Sequence, residues 1–311
     1  MPSPILPLFV RFRVVVTLSL LAGVAGQARG QAHSPQPAQH GANPTVSPDG
    51  RRIAFVSDRS SPGDIFIMNA DGSDVRRLTS DGGHRGRPHW SADGRRLFFN
   101  LSSNDTTRVY ALSVDGGVPT EVARFAARGG AMPIGDESRF VIGVGPWTAM
   151  QLFVTGADGS GRRALTSDRA AYWCPGASPR GDLVAATRQD SASMQIWIIH
   201  TDGSGARALT RFTPTQGRPQ CAVFSPDARR LAIQSEAADP QDTTREIGHI
   251  WIVDVTSGQA TRLGEHVTPY RDELPAWFPD GKSLAFQSDR TGRWEVWVMK
   301  ADGTGAQQVT R

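Results

Sequence analysis

The chain has 311 residues, 39% of them hydrophobic and 21% charged, an ordinary globular balance that suits two average domains or one large all-β domain. The formal charge is +4, but residues 1–32 hold Arg11, Arg13 and Arg29 and no acid, so the remainder is close to neutral at +1. This balance gives no electrostatic reason to expect nucleic acid or an anionic membrane surface as the partner.

An export signal is predicted at the N-terminus. Two arginines precede an apolar run over residues 14–26, which is shorter than the ~20 residues that span a bilayer. Small residues follow the run, as in a cleavable secretory signal. We expect a signal peptide over 1–32, with cleavage after Ala28 or Ala32, and a flexible lead-in over 33–42. An uncleaved anchor is the alternative.

Six copies of one repeat follow, over residues 43–311. Turn aspartates mark the period, and an insertion at 237–245 lengthens the fifth copy. A four-stranded repeat of about 40–45 residues is a propeller blade, so the sequence predicts an all-β, six-bladed β-propeller with four antiparallel strands per blade. The predicted blades cover approximately 43–86, 87–130, 131–170, 171–218, 219–272 and 273–311.

The first copy shows the four strands in order. Its second and third strands are apolar on both faces, as expected for sheets that are covered on both sides. Pro-Asp-Gly at 48–50 and Asp-Gly at 71–72 predict tight turns between strands. The predicted strands are Pro44–Ser47, Arg52–Ser57, Asp64–Asn69 and Val75–Thr79.

An aromatic residue occupies the third position of the third strand in every copy. Six aromatic side chains in register indicate one packing role, and we expect them to fill the core between blades rather than to stack on a ligand. These residues are Phe66, Tyr110, Phe153, Trp197, Trp251 and Trp297.

The segments that join one copy to the next gather at one mouth of a propeller channel, and loops on a rigid scaffold often carry function. Here they are rich in Arg, Tyr and Trp, which are typical interface anchors. Solvated arginines are the alternative, since 32 of the 34 basic residues are Arg. We predict loops at 171–174 and 215–218 among others, and a partner-binding mouth formed by Arg87, His89, Trp173, Arg218, Tyr270, Arg271 and Glu273.

Both cysteines fall at equivalent places in adjacent copies. Cys174 and Cys221 each lie three residues before the same first-strand position. The predicted export signal implies an oxidising compartment, which favours a disulfide. Two buried free thiols are the alternative, because Cα atoms more than ~7 Å apart cannot be bridged.

The repeat strings resemble those of the TolB-like (WD40-like) β-propeller family. Trp90, Trp277, Asp71-Gly72 and Leu78-Thr79 carry the likeness, which covers 43–311. It implies a periplasmic or secreted protein whose propeller binds a protein partner, cell-envelope or peptidoglycan-associated. The α/β domain that precedes the propeller in TolB has no counterpart in this sequence, so we expect the propeller without that domain.

Catalytic motifs are the test of an enzymatic alternative. The sequence contains no G-x-S-x-G or H-E-x-x-H and no zinc-spaced Cys/His set. We therefore expect a monomeric, non-enzymatic interaction module at the cell envelope, with no cofactor, no metal, no nucleic acid partner and no membrane span after signal removal. The alternative is a propeller enzyme, a polysaccharide lyase or glycan-active hydrolase, that uses the mouth with His89 or Glu273.

Overall fold

A computed structural model describes residues 41–310 except 61–62, 82, 84–85, 104, 243–244 and 265–269. The predicted signal peptide and most of the predicted lead-in lie outside the described residues. Within them, 24 strands form six four-stranded antiparallel sheets, which confirms the six-bladed propeller. The described residues contain a single helical element, a 3₁₀ turn at Trp147–Ala149, and no described helix is long and apolar enough to cross a membrane.

Each blade uses four consecutive strands, with its first strand at one edge and its fourth at the other. Blades 1 to 3 comprise β1 (Ala42–Val46), β2 (Arg52–Ser57), β3 (Asp64–Asn69), β4 (Arg76–Arg77), β5 (His89–Trp90), β6 (Arg96–Ser103), β7 (Thr106–Ser113), β8 (Thr120–Phe125), β9 (Ala131–Ile134), β10 (Arg139–Val144), β11 (Gln151–Gly156) and β12 (Arg163–Ala164). Blades 4 to 6 comprise β13 (Ala171–Ala177), β14 (Leu183–Gln189), β15 (Met194–His200), β16 (Arg207–Ala208), β17 (Arg218–Phe224), β18 (Arg230–Ala238), β19 (Glu246–Asp254), β20 (Ala260–Arg262), β21 (Asp272–Trp277), β22 (Ser283–Ser288), β23 (Glu295–Lys300) and β24 (Gln307–Gln308).

The first strands surround the channel. Strand β1 contacts β5 and β21, β13 contacts β9 and β17, and β17 contacts β21. The ring closes by packing of blade 1 on blade 6, since β1 also contacts β22 and the Gly41 N–H donates to the Trp294 carbonyl at 3.0 Å. No strand is exchanged between the first and last blades among the described residues.

The hydrophobic core is divided among the six contacts between neighbouring blades. Each of the six register-matched aromatic residues lies in a different one of these clusters. Phe66 packs between blades 6 and 1, and Trp251 packs between blades 4 and 5. Tyr110, Phe153, Trp197 and Trp297 occupy the remaining four clusters. Each aromatic side chain therefore packs against the preceding blade.

The Leu-Thr pair at the end of a copy has a structural role. The hydroxyl of Thr79 accepts a hydrogen bond of 2.9 Å from the N–H of Ile65 on β3, and Thr166 does the same for Leu152 on β11. Blades 4 and 6 repeat the contact through Thr210 and Thr310. A buried N–H group without a partner is costly, so the threonine completes the short fourth strand.

The predicted loop at 171–174 is wrong, because β13 runs through it from Ala171. Trp173 pairs with Thr187 in the ladder, and a bulge after Trp173 accommodates Pro175, which has no N–H to donate. At the second predicted loop, 215–218, Arg218 is already the first residue of β17. Blade 1 begins at Ala42, one residue before the predicted boundary.

Candidate functional site at the channel mouth

The mouth face is the end of the ring where first strands begin and second strands end. Antiparallel pairing places these two ends together, as Arg218 opposite Glu236 shows in blade 5. Trp173 lies on β13, Glu273 lies on β21, and Arg271 comes directly before β21. The structure therefore places the predicted residues of blades 4, 5 and 6 on one face.

Four first strands carry a β-bulge whose central residue takes the left-handed conformation. These residues are Asn43, Cys174, Cys221 and Leu274, with φ between 49° and 54°. A bulge withdraws one N–H from the ladder, and that group needs another acceptor. Side chains from the preceding blade accept three of these N–H groups.

These acceptors occupy one position of the second strand. The Asn43 N–H donates to Gln287 Oε1 at 2.9 Å, and the Leu274 N–H donates to Gln234 Oε1 at 2.9 Å. The Cys221 N–H donates to the Thr187 hydroxyl at 3.3 Å. Polar side chains thus join neighbouring blades beside the channel.

Cys174 and Cys221 form a disulfide between the bulges of blades 4 and 5. Their Cα atoms are 5.0 Å apart, within the range that a disulfide spans. The covalent link therefore joins two innermost strands at the channel wall.

Arg87 links blade 2 to the first strands of blades 1 and 6. Its Nε donates to the Pro44 carbonyl at 3.0 Å, and its Nη2 donates to the Pro275 carbonyl at 2.7 Å. Desolvation lowers the pKa of Arg87 to about 10, and desolvation together with the Arg87 charge lowers the pKa of His89 to about 3. Arg87 donors are thus engaged with the backbone, and His89 is neutral at physiological pH. His84 lies outside the described residues.

Two buried carboxyl groups lie close together where blades 5 and 6 meet. Glu236 on β18 and Glu273 on β21 are each 8% exposed. Gln234 donates from Nε2 to Glu236 Oε1 at 3.4 Å, and Gln287 donates from Nε2 to Glu273 Oε2 at 3.1 Å. Because bulge N–H groups fix both amide oxygens, the amide NH₂ groups must face the carboxylates.

The neighbouring arginines are engaged with other acids. Arg218 forms its closest ion pair with Glu246 and stands 3.5 Å from Glu236 Oε2. Arg271 donates from Nε to Asp289 at 2.9 Å. The inner carboxyl groups consequently have weak compensation for burial.

The weak compensation raises the pKa values of both acids. Burial and the nearby Glu236 charge raise the pKa of Glu273 to about 8, against the opposing effect of Arg271. Burial and the Glu246 charge raise the pKa of Glu236, and Arg218, a side-chain hydrogen bond from Gln220 and Arg271 oppose the increase. The pair therefore retains a proton near neutral pH.

A cation also orders the rim of blade 6. The Arg290 guanidinium lies 4.6 Å from the Tyr270 ring centroid and 4.3 Å from that of Trp297, and it donates twice to Asp272 at 2.8 Å. The Arg271 guanidinium lies 4.6 Å from the Trp294 ring centroid. These contacts hold both guanidinium groups and the neighbouring aromatic rings in place on blade 6.

Sequence reasoning identified Glu273 but missed Glu236. No motif contains Glu236, and its partner lies on another blade. A signal was nevertheless present, because the polar residues Gln234 and Glu236 follow an apolar run in the second strand and are themselves buried. Within the described part of the chain, no group of three or more His, Cys, Asp or Glu side chains is placed to hold a metal ion.

Comparison with known proteins places these features in a family context. The family model described as the TolB beta propeller domain matches residues 19–141 and 139–311. The Tol-Pal system protein TolB of Alcanivorax borkumensis is 45% identical over 62 residues, which are 19% of this chain and 14% of that protein. The chain spans less than a quarter of the length of each curated relative that it matches.

Two solved structures show the same fold at low sequence identity. TolB from Acinetobacter baumannii superposes with a TM-score of 0.66 and 15% identity, covering 84% of this chain and 63% of that one. An oligogalacturonate lyase from Vibrio parahaemolyticus superposes with a TM-score of 0.54 and 13% identity, covering 85% of this chain and 89% of that one. The fold is therefore shared by a protein named as TolB and by a protein named as an oligogalacturonate lyase.

Proposed function

The chain belongs to the TolB β-propeller family, and on this basis we propose that it is an exported protein-interaction module of the bacterial cell envelope. Its partner is a protein, envelope- or peptidoglycan-associated, that binds the mouth face over blades 4 to 6 in the periplasm. The predicted export signal and the kinship with TolB support this location.

The observation that carries the proposal is a prepared surface of interface-anchor residue types. Trp173, Arg218, Tyr270 and Arg271 are all half-buried on the mouth face. Ion pairs with Glu246 and Asp289 hold the two arginines. Aromatic and Arg side chains dominate binding hot spots, and fixing them beforehand reduces the entropy lost on association.

Site-specific photo-crosslinking in cells tests the proposal. A photoreactive amino acid replaces Trp173 or Tyr270 on the mouth face, and in a matched control it replaces Val118, which is 90% exposed on the β7–β8 hairpin. We expect one protein to be captured from both mouth positions and not from position 118, in a periplasmic fraction. Equal capture from position 118, or retention in the cytoplasm, would contradict the proposal.

The carboxyl pair favours one second candidate, a glycan-active enzyme. An acid with a pKa near 8 is protonated at neutral pH, as a general acid must be, and Glu236 lies beside it. Reducing-end release from envelope and plant polysaccharides would be compared between the parent protein and Glu273→Gln. Turnover that is lost in this variant would support the enzyme, and no turnover by the parent would remove the candidate.

A further inference from the structure

One oxygen of the carboxyl pair between blades 5 and 6 lacks a donor at ordinary hydrogen-bonding distance among the described residues. Glu236 is buried, and among the described residues no donor meets ordinary hydrogen-bond geometry at its Oε2, although the Gln220 side chain interacts with the same carboxyl group. The nearest cation is Arg218 Nη2 at 3.5 Å, and this nitrogen instead donates to Glu246. A buried acceptor without a donor destabilises the folded protein, so a ligand that donates a hydrogen bond to this oxygen would bind more favourably.

The backbone brings the second carboxyl to the same place. The Leu274 N–H donates to Gln234, and Gln234 donates to Glu236, which lies two residues further along the same face of β18. Glu273 directly precedes Leu274 on the first strand of blade 6. One hydrogen-bonded chain therefore fixes Glu236 and Glu273 across a single blade boundary.

The chemistry of the lining selects an organic cation over a metal ion. The oxygens of Gln234 and Gln287 each already accept a backbone N–H, and their NH₂ groups donate to the two carboxylates. A hard metal ion would need several further oxygen ligands. A guanidinium or ammonium group brings its own N–H donors and needs only the carboxylate oxygens.

We propose that Glu236 and Glu273 bind the guanidinium or ammonium group of an Arg or Lys side chain that the protein partner inserts at the mouth between blades 5 and 6. This inference rests on the proposed interaction function and specifies its chemistry. Trp173 on β13 of blade 4 and Tyr270, two residues before β21 of blade 6, lie on the same mouth face.

Binding is coupled to release of a proton. The charged groups that act on the pair are Arg218, Glu246, Arg271 and Asp289, and the arginines remain bound to their outer acids. Without a bound cation the pair keeps a proton at neutral pH, and an incoming cation replaces that proton. Affinity should therefore rise between pH 6 and pH 8.

The test uses Nα-acetyl-arginine N-methylamide as the probe and the citrulline analogue, which has the same shape without the charge, as its control. The mature protein is labelled with ¹⁵N-glutamine, so the side-chain amides of Gln234 and Gln287 report on the pocket. We expect saturable shifts of both amides with the arginine probe and none with citrulline. Binding should be at least tenfold weaker in the Glu236→Gln/Glu273→Gln protein.

Glu121→Gln is the matched control variant, because Glu121 pairs with Arg124 on the exposed fourth strand of blade 2. It should bind the probe like the parent, and the single Glu236→Gln variant repeats the test if the double variant unfolds. An equal response to citrulline, unchanged affinity in the variants, or tighter binding of calcium by the same residues would overturn the inference. Partner crosslinking at Trp173 that persists without probe binding would overturn this inference alone and leave the interaction function standing.

Discussion

The disulfide between blades 4 and 5 should make a large contribution to the stability of the oxidised protein. The bond closes a loop of 47 residues between Cys174 and Cys221. Chain-entropy arguments give about 4 kcal/mol for a loop of this size, because the crosslink restricts the unfolded chain. With an unfolding entropy of about 2.1 cal/mol/K per residue, this corresponds to about 7 °C in melting temperature for the described propeller.

Calorimetry of the mature protein tests this value. Cys174→Ser, Cys221→Ser and the double variant should each melt about 7 °C below the oxidised parent, since either change removes the same bond. A reductant should lower the melting temperature of the parent to that of the variants and leave the variants unchanged. If the decreases in melting temperature of the two single variants added up in the double variant, they would indicate separate packing defects and refute the reasoning. Alkylation of both thiols in the parent protein without prior reduction would also refute it.

Three further predictions concern the channel and the blade ends. The pKa of Glu273 is near 4.5 in the unfolded chain and near 8 in the folded protein, so the unfolded chain binds fewer protons between these pH values. The free energy of unfolding should therefore fall as pH rises from 4.5 to 8, by at most ~5 kcal/mol. Urea unfolding at pH 5, 6.5 and 8 should show a smaller decline for Glu273→Gln than for the parent. Arg87→Met should cost roughly 3 kcal/mol in the same assay, because two backbone carbonyls of blades 1 and 6 lose a charged donor. Thr166→Val should accelerate hydrogen exchange at the Leu152 amide, while the Ile196 amide, at the matched position of blade 4, stays protected.

The fold was predictable because each blade repeats the same turn residues and apolar runs within its own sequence. Strands β2 and β3 have the predicted bounds, since turn residues and apolar runs define them within one copy. First strands were harder to predict, because a bulge interrupts their alternation and Pro175 imitates a loop signal. The partner of each bulge N–H lies on another blade, so local sequence patterns do not reveal it.

The site could be predicted only in part for the same reason. Arg, Tyr and Trp near blade junctions indicated the correct face, but composition does not show which donors are already engaged. Arg87 was predicted to be an anchor for a partner, but its guanidinium donates to two backbone carbonyls in the structure. Glu236 carried no motif, and its importance comes from burial and from the nearby Glu273.

The bulges also explain why the carboxyl pair and its two glutamine amides lie on one side of the ring. Strands β5 and β9 pair with their neighbours without a bulge, and the second-strand position that holds Gln234 and Gln287 in blades 5 and 6 is Val56 in blade 1 and Gly143 in blade 3. Among the described residues, the glutamine NH₂ group donates to a buried carboxylate in blades 5 and 6, where a bulge N–H binds the amide oxygen. A partner that binds the carboxyl pair must therefore lie to one side of the channel axis. Most of its contacts should be with blades 5 and 6.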